Sequence, residues 1–187
     1  VIRVLGIDPS QRHTGLCLLA GTQVVLDEIK PTADDILSSA EHLRAELKSY
    51  LDRRDPDRQI RIYSIEKQLS VGGRSSSLLF YMQMTVLATV MEHVKGLDPE
   101  AILMMPLPIQ LQSYIQRHHQ FQGKTDLDLV SHFKRQTGEA GRISVHKVDA
   151  YYLAHFGRDV YTGRHGYRLP TREANLTPWK VTNGQHS

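Results

Sequence analysis

A single cysteine, Cys17, stands among the 187 residues, which excludes a disulfide framework and any zinc site built from cysteines. It lies inside the apolar run Leu16-Cys17-Leu18-Leu19 and reads as a small core residue. No apolar stretch approaches the roughly 20 residues needed to span a bilayer, so membrane insertion is not expected. Nor does the chain open with a basic, then apolar, then small-residue segment of the kind that directs secretion, and the expected compartment is the cytoplasm. There is no internal repeat. What is there is ordinary for one globular domain with appendages: 40% hydrophobic and 23% charged residues. A net charge of +3 and a pI near 9.0 suit a polyanionic partner without requiring one.

Apolar runs over residues 2–7, 15–19 and 22–29 predict a three-stranded antiparallel meander, its first turn being the polar stretch from Asp8 through Pro9 and His13 to Thr14. Ile36, Leu37, Ala40, Leu43, Leu47 and Leu51 recur at helical spacing and predict an amphipathic helix over 33–54. A strand over 60–65 then delivers Glu66 at its end. Gly72-Gly73-Arg74-Ser75-Ser76-Ser77 reads as a flexible basic loop supplying a helix cap, and 78–94 as a helix apolar enough to require burial. A short strand over 101–105, punctuation by Pro106 and Pro108, and helices over 125–135 and 145–156 complete the pattern. The fold class implied is α/β: a mixed five-stranded sheet, antiparallel meander plus parallel strands, flanked by helices. Residues 1–156 form the domain. Residues 157–187, poor in aliphatics and carrying Arg158, Arg164, Arg168, Arg172 and Lys180, read as an extended or partly disordered basic C-terminal extension.

Asp8 ends the first strand, Glu66 ends the fourth, and His146 and Asp149 share one face of the last helix at three-residue spacing. Singly each has a plain structural role: a turn former before proline, a solvated strand end, a packing histidine, an acid favoured near a helix N-terminus. Together they converge on one point if the first and fourth strands are neighbours. An oxygen-rich set of this kind suits Mg²⁺ or Mn²⁺, and a pair of ions about 3.5 to 4 Å apart clamps both oxygens of a phosphodiester displacement.

Gly6-Ile7-Asp8-Pro9-Ser10 followed by Thr14-Gly15 resembles the opening motif of the RuvC-type resolvases of the RNase H-like superfamily. Ile65-Glu66 resembles their second motif, and His146-Lys147-Val148-Asp149-Ala150-Tyr151-Tyr152-Leu153-Ala154 their last. The resemblance, in order across roughly residues 2–156, implies an RNase H-like fold, a homodimer with two active sites, and paired symmetrical nicks across four-way Holliday junctions. It implies that Asp8, Glu66, His146 and Asp149 bind two divalent ions. At the position of His146 some members carry aspartate and others histidine; the imidazole removes one negative charge and weakens Mg²⁺ binding relative to Mn²⁺. Lys124 resembles the lysine that precedes the penultimate helix, where it holds the scissile phosphate or stabilises transition-state charge; a solvated helix start is the other reading. Gln112 stands where a second family lysine is found. Leu69 stands where some members carry an aromatic, and is either an apolar wedge or a packing residue. The tail has no counterpart in the compact bacterial members and points to a divergent, phage-encoded branch.

Branched DNA is the implied partner, and Lys67, Leu69, Arg74, Ser75, Arg117 and Lys124 are the candidate contacts. Arg117-His118-His119 reads as a polar loop near DNA rather than a zinc motif. Leu79, Met82, Met84, Val86, Leu87, Val90 and Met91 give the 78–94 helix more apolar surface than one sheet face needs, which fits a two-fold dimer helix or a wholly internal one. Two other functions share these features: a nuclease that debranches DNA of several shapes, and a noncatalytic junction-binding relative. The presence of all four candidate ligands argues against the second.

Overall fold

Strand β1 (Arg3–Asp8), strand β2 (Thr14–Ala20) and strand β3 (Gln23–Ile29) form the expected meander. The β2–β3 hairpin closes over two residues because Gly21, at φ +61°, supplies the left-handed backbone that so short a turn needs. The structure, a computed structural model, describes residues 1–31, 35–68, 74–95, 101–166 and 179–180, with backbone alone for 74–77 and 179–180. Strand β4 (Ile60–Ile65) lies parallel to β1 with Ile7 opposite Ile65, and strand β5 (Ile102–Met104) lies parallel to β4. Strand β6 (Trp179–Lys180) adds a two-residue antiparallel edge, so the five expected strands gain a sixth in the order β3-β2-β1-β4-β5-β6.

Alternation along the strands builds two cores. Leu5, Ile7, Leu16, Leu18, Tyr63 and Ile65 face helix α1 (Ile36–Arg54) and helix α2 (Arg74–Val94). Val4, Cys17, Leu19, Ile62 and Met104 face helix α3 (Pro108–His118), helix α4 (Asp126–Thr137) and helix α5 (Val145–Tyr161). No helix among the described residues is long and apolar enough to cross a membrane.

Four boundaries differ from the sequence expectation. Helix α1 starts at Ile36 because Asp35 caps it, accepting the Ser38 N–H at 2.9 Å. Residues 74–77 are the first turn of α2 rather than loop; serine and arginine cost a helix only a few tenths of a kcal/mol each, which the buried apolar face outweighs. Where the sequence shows only proline punctuation, the structure forms helix α3. Pro108 is its first residue, a position where the missing N–H and fixed φ favour a helix, and Leu111, Tyr114 and Ile115 are its buried face. Helix α5 continues past Phe156 because Val148, Tyr152, Phe156 and Val160 form one buried stripe. Gly157 lies within that helix, where an added Cβ would stand 3.0 Å from the Ser64 side chain.

Helix α5 crosses β1 and β2 at very short range. An added Cβ at Gly6 would fall 2.1 Å from the Ala150 carbonyl oxygen and 2.6 Å from the Ala154 nitrogen, both backbone atoms. Gly6→Ala is therefore expected to destabilise the fold by about 3 kcal/mol, lowering the thermal midpoint by roughly 6 to 12 °C. Circular dichroism melting checks this; a midpoint within about 2 °C of wild type would show that α5 withdraws without cost.

Candidate metal centre

Parallel pairing of β1 with β4 brings two carboxylates to the same edge of the sheet. Asp8 is the last residue of β1, and the Glu66 N–H donates to the Ile7 carbonyl at 3.1 Å, continuing the ladder one residue beyond β4. The two side chains are hydrogen-bonded to each other. The Gln68 amide donates to Glu66 Oε2 at 3.1 Å, and Gln83 of α2 donates to the Glu66 carbonyl at 3.3 Å. Neither glutamine was singled out from the sequence, since nothing in periodicity marks a side chain that orients another.

The third and fourth groups come from the start of α5. Ser144 caps that helix by accepting the Lys147 N–H at 3.3 Å. Its close passage over Gly6 and Gly15 sets the first turn against the ends of β1 and β2. His146 Nδ1 lies 2.6 Å from Asp8 Oδ2, and Asp149 feels the charges of both Asp8 and Glu66. All four sequence candidates thus meet, across a separation of 138 residues for the Asp8–His146 contact.

The electrostatics show a cluster short of positive charge. Burial, then the charge and hydrogen bond of Asp8, push the Glu66 carboxyl up to about 8. Burial, then the charges of Asp8 and Glu66, push Asp149 to about 8 as well. Asp8 is raised by burial against the opposing pull of His146, and His146 is raised by its hydrogen bond to Asp8. Glu66 and Asp149 therefore retain their protons at neutral pH. Among the described residues no three histidine, cysteine or carboxylate side chains stand at ligand spacing around one point; here Asp8 is engaged with His146 and Glu66 instead. The donor set nevertheless fits a hard divalent cation: three desolvated carboxylates, short of compensating positive charge, and one imidazole. Taking up such an ion must release protons.

Beside Glu66 and Asp149 opens a cleft of about 210 Å³, floored by Leu111, Ile115, Phe121 and Leu129, with Gln112, Lys124 and Asp126 at its rim. Lys124 and Thr125 donate their backbone N–H groups to Asp128 Oδ2 at 3.0 Å in a reciprocal helix cap, which leaves the exposed Lys124 side chain at the mouth. Asp126 adds a charge felt by Asp8 and Asp149; in the sequence it was hidden among the acids that favour any helix start.

The other sequence candidates are distributed differently. Lys67 is exposed immediately after Glu66. Arg74 and Ser75 lie in the first turn of α2, their side chains outside the described atoms, and Leu69 falls outside the described residues. Arg117 sits exposed in the last turn of α3, two residues after the cleft-lining Ile115. The Arg117-His118-His119 stretch is a helix end and its cap rather than a loop. His118 stacks on the exposed His165, beyond the end of α5, and the half-buried His119 packs on Tyr114 and Tyr152.

No family model matches the sequence, and no curated protein matches it. Solved structures match the fold. A Thermus thermophilus RuvC in complex with a Holliday junction substrate superposes with a TM-score of 0.63 at 17% identity, covering 96% of this chain and all of that one. A second Thermus thermophilus RuvC structure gives 0.64 at 18%, covering 95% and all of that chain. Ydc2, the yeast mitochondrial Holliday junction resolvase, gives 0.54 at 16%, covering 82% of this chain and 76% of its own. The mixed sheet flanked by helices is the RuvC-like, RNase H-like fold that the sequence motifs imply.

Proposed function

We propose that the chain is a divalent-metal-dependent endodeoxyribonuclease that resolves four-way DNA junctions by paired symmetrical nicks. The observation that carries this reading is the meeting of Asp8, Glu66, His146 and Asp149 at the ends of β1 and β4 on a RuvC-like fold. Asp8, Glu66, His146 and Asp149 are the residues that hold two Mg²⁺ or Mn²⁺ ions. Bound there, the ions supply the Lewis acidity that phosphodiester hydrolysis needs. The chain's own groups do the rest. Lys124, at the mouth of the cleft that Glu66 and Asp149 line, holds the phosphate by charge. The apolar floor of that cleft keeps bulk water from one side of the reacting group. Lys67, Leu69, Arg74, Ser75 and Arg117 complete the proposed DNA contacts.

A junction is two-fold symmetric, and a two-fold dimer matches it. Helix α2 has the surface for this: Met82, Val86, Leu87 and Val90 are buried within the subunit, whereas Phe80, Tyr81, Met84 and Met91 are between 43% and 48% exposed. The internal core thus consumes one face of the helix and leaves a second apolar one.

The test is cleavage of immobile and mobile four-way junctions beside a linear duplex and a Y-junction, with Mg²⁺ and with Mn²⁺. Paired symmetrical nicks confined to four-way junctions are expected. Equal cutting of Y-junctions would support the debranching nuclease instead, and binding without metal-dependent cutting would support a noncatalytic relative.

A further inference from the structure

A second cavity flanks the carboxylate centre on the side of the β1–β2 turn, and none of the chemistry above uses it. Its volume is about 520 Å³, and His13, Glu28, Lys30, Arg142, Ser144 and Lys147 line it. We propose, resting on the nuclease reading, that this cavity seats a backbone phosphate of the DNA strand passing through the centre, held by Arg142 and Lys147.

Charge is the first ground. Three cations line the cavity against one carboxylate, and that carboxylate is already committed. Glu28, whose side chain is 7% exposed, has Lys30 Nζ 3.2 Å from Oε2 and His13 Nδ1 3.5 Å from Oε1, and is hydrogen-bonded to Ser144. Among the described residues neither Arg142 nor Lys147 has an acidic partner. An uncompensated pair of cations in a concave, solvent-open wall draws anions.

Placement is the second ground. The floor of the cavity is joined to the candidate metal centre by ring stacking: His13 lies parallel to His146, with centroids 5.8 Å apart and planes 7° apart. His146 in turn contacts Asp8. Glu28 anchors this wall from the β3 side through its hydrogen bond to Ser144, the cap of the helix that bears His146. Lys124 stands in the other cleft, with Glu66 and Asp149. Two cationic sites thus flank one carboxylate centre, the arrangement expected where a strand carries a charge at every nucleotide. The seventeen-residue helix α5 also begins here, so its N-terminal dipole adds to the pull on an anion.

The test uses the full chain with Arg142→Ala and Lys147→Ala combined, against a control that removes two exposed cations from α1, Lys48→Ala with Arg53→Ala. Affinity for a fluorescein-labelled immobile four-way junction is followed across a salt titration, with Ca²⁺ in place of Mg²⁺ to suppress cutting. The double variant is expected to bind about tenfold more weakly at moderate salt, with the slope of log affinity against log salt reduced by about one, while the control shifts less than about twofold. Mn²⁺ binding to the DNA-free protein, measured by calorimetry, stays as in wild type. A slope and affinity equal to the control's would overturn the phosphate site and leave the nuclease reading standing. Parallel loss of Mn²⁺ binding would also overturn it, because the two cations would then serve the architecture of α5. Failure of wild type to bind any DNA would overturn both readings.

Discussion

Asp149→Asn leaves junction binding within about twofold of wild type and lowers metal-dependent cutting by about a thousandfold or more, the scale expected when a direct ligand of a catalytic ion is lost. Asp149 is not among the proposed DNA contacts, and none of Lys67, Arg117, Lys124, Arg142 and Lys147 forms an ion pair with it, so affinity is not expected to depend on this carboxylate. The same substitution should stabilise the metal-free protein at alkaline pH. Asp149 is held near 8 by burial and by the charges of Asp8 and Glu66, so ionising it costs the folded state free energy that a neutral amide of the same shape does not. Cleavage kinetics and a melting curve at pH 9 on one preparation test both halves. A variant that cuts at near wild-type rate, or one that is folded yet loses binding and cutting together, would remove Asp149 from the proposed centre.

The second large effect is on stability against pH. Glu66 and Asp149 each sit near 8 in the folded chain, well above the values near 4 of unfolded glutamate and aspartate. Over that interval the folded state binds more protons than the unfolded state. The stabilisation this brings is complete below about pH 4 and is lost as pH rises through 8. His146, also raised, works in the same direction. Burial is the first cause of both shifts, and the charge of Glu66 adds to the shift of Asp149, so the groups are not independent and together contribute on the order of 5 kcal/mol. Metal-free protein is accordingly expected to melt on the order of 10 °C lower at pH 9 than at pH 5. Saturating Mn²⁺ should reverse the trend above neutrality, since it binds the deprotonated cluster and not the unfolded chain. Scanning calorimetry with and without Mn²⁺ decides this. A midpoint independent of pH between 5 and 9 would mean that the carboxylates titrate normally and do not form a desolvated cluster.

How much of the site was legible follows from which residues are local. His146 and Asp149 are three apart on a helix, and Asp8 and Glu66 each terminate an apolar run, so their types and positions stand out without coordinates. His13 and Glu28 do not. Glu28 lies in the run 22–29, which is recognised by its apolar residues, and its meeting with Lys30 and Ser144 depends on the tertiary fold. Arg142 and Lys147 flank the candidate His-x-x-Asp motif, yet their convergence with Lys30 depends on how β3 meets the entry to α5.

By itself the sequence determined the succession of strands along the chain, the two-sided apolar alternation that calls for helices on both faces, and the carboxylates at strand ends, because these depend on neighbours within a few residues; that β4 lies beside β1 it left open. Only the tertiary structure decided that α3 begins at Pro108, that α5 runs on to Tyr161, that α2 divides into a buried and an exposed apolar face, and that a second cationic pocket adjoins His146. Each of these rests on contacts between segments far apart in the chain, where burial and backbone approach outweigh local propensity.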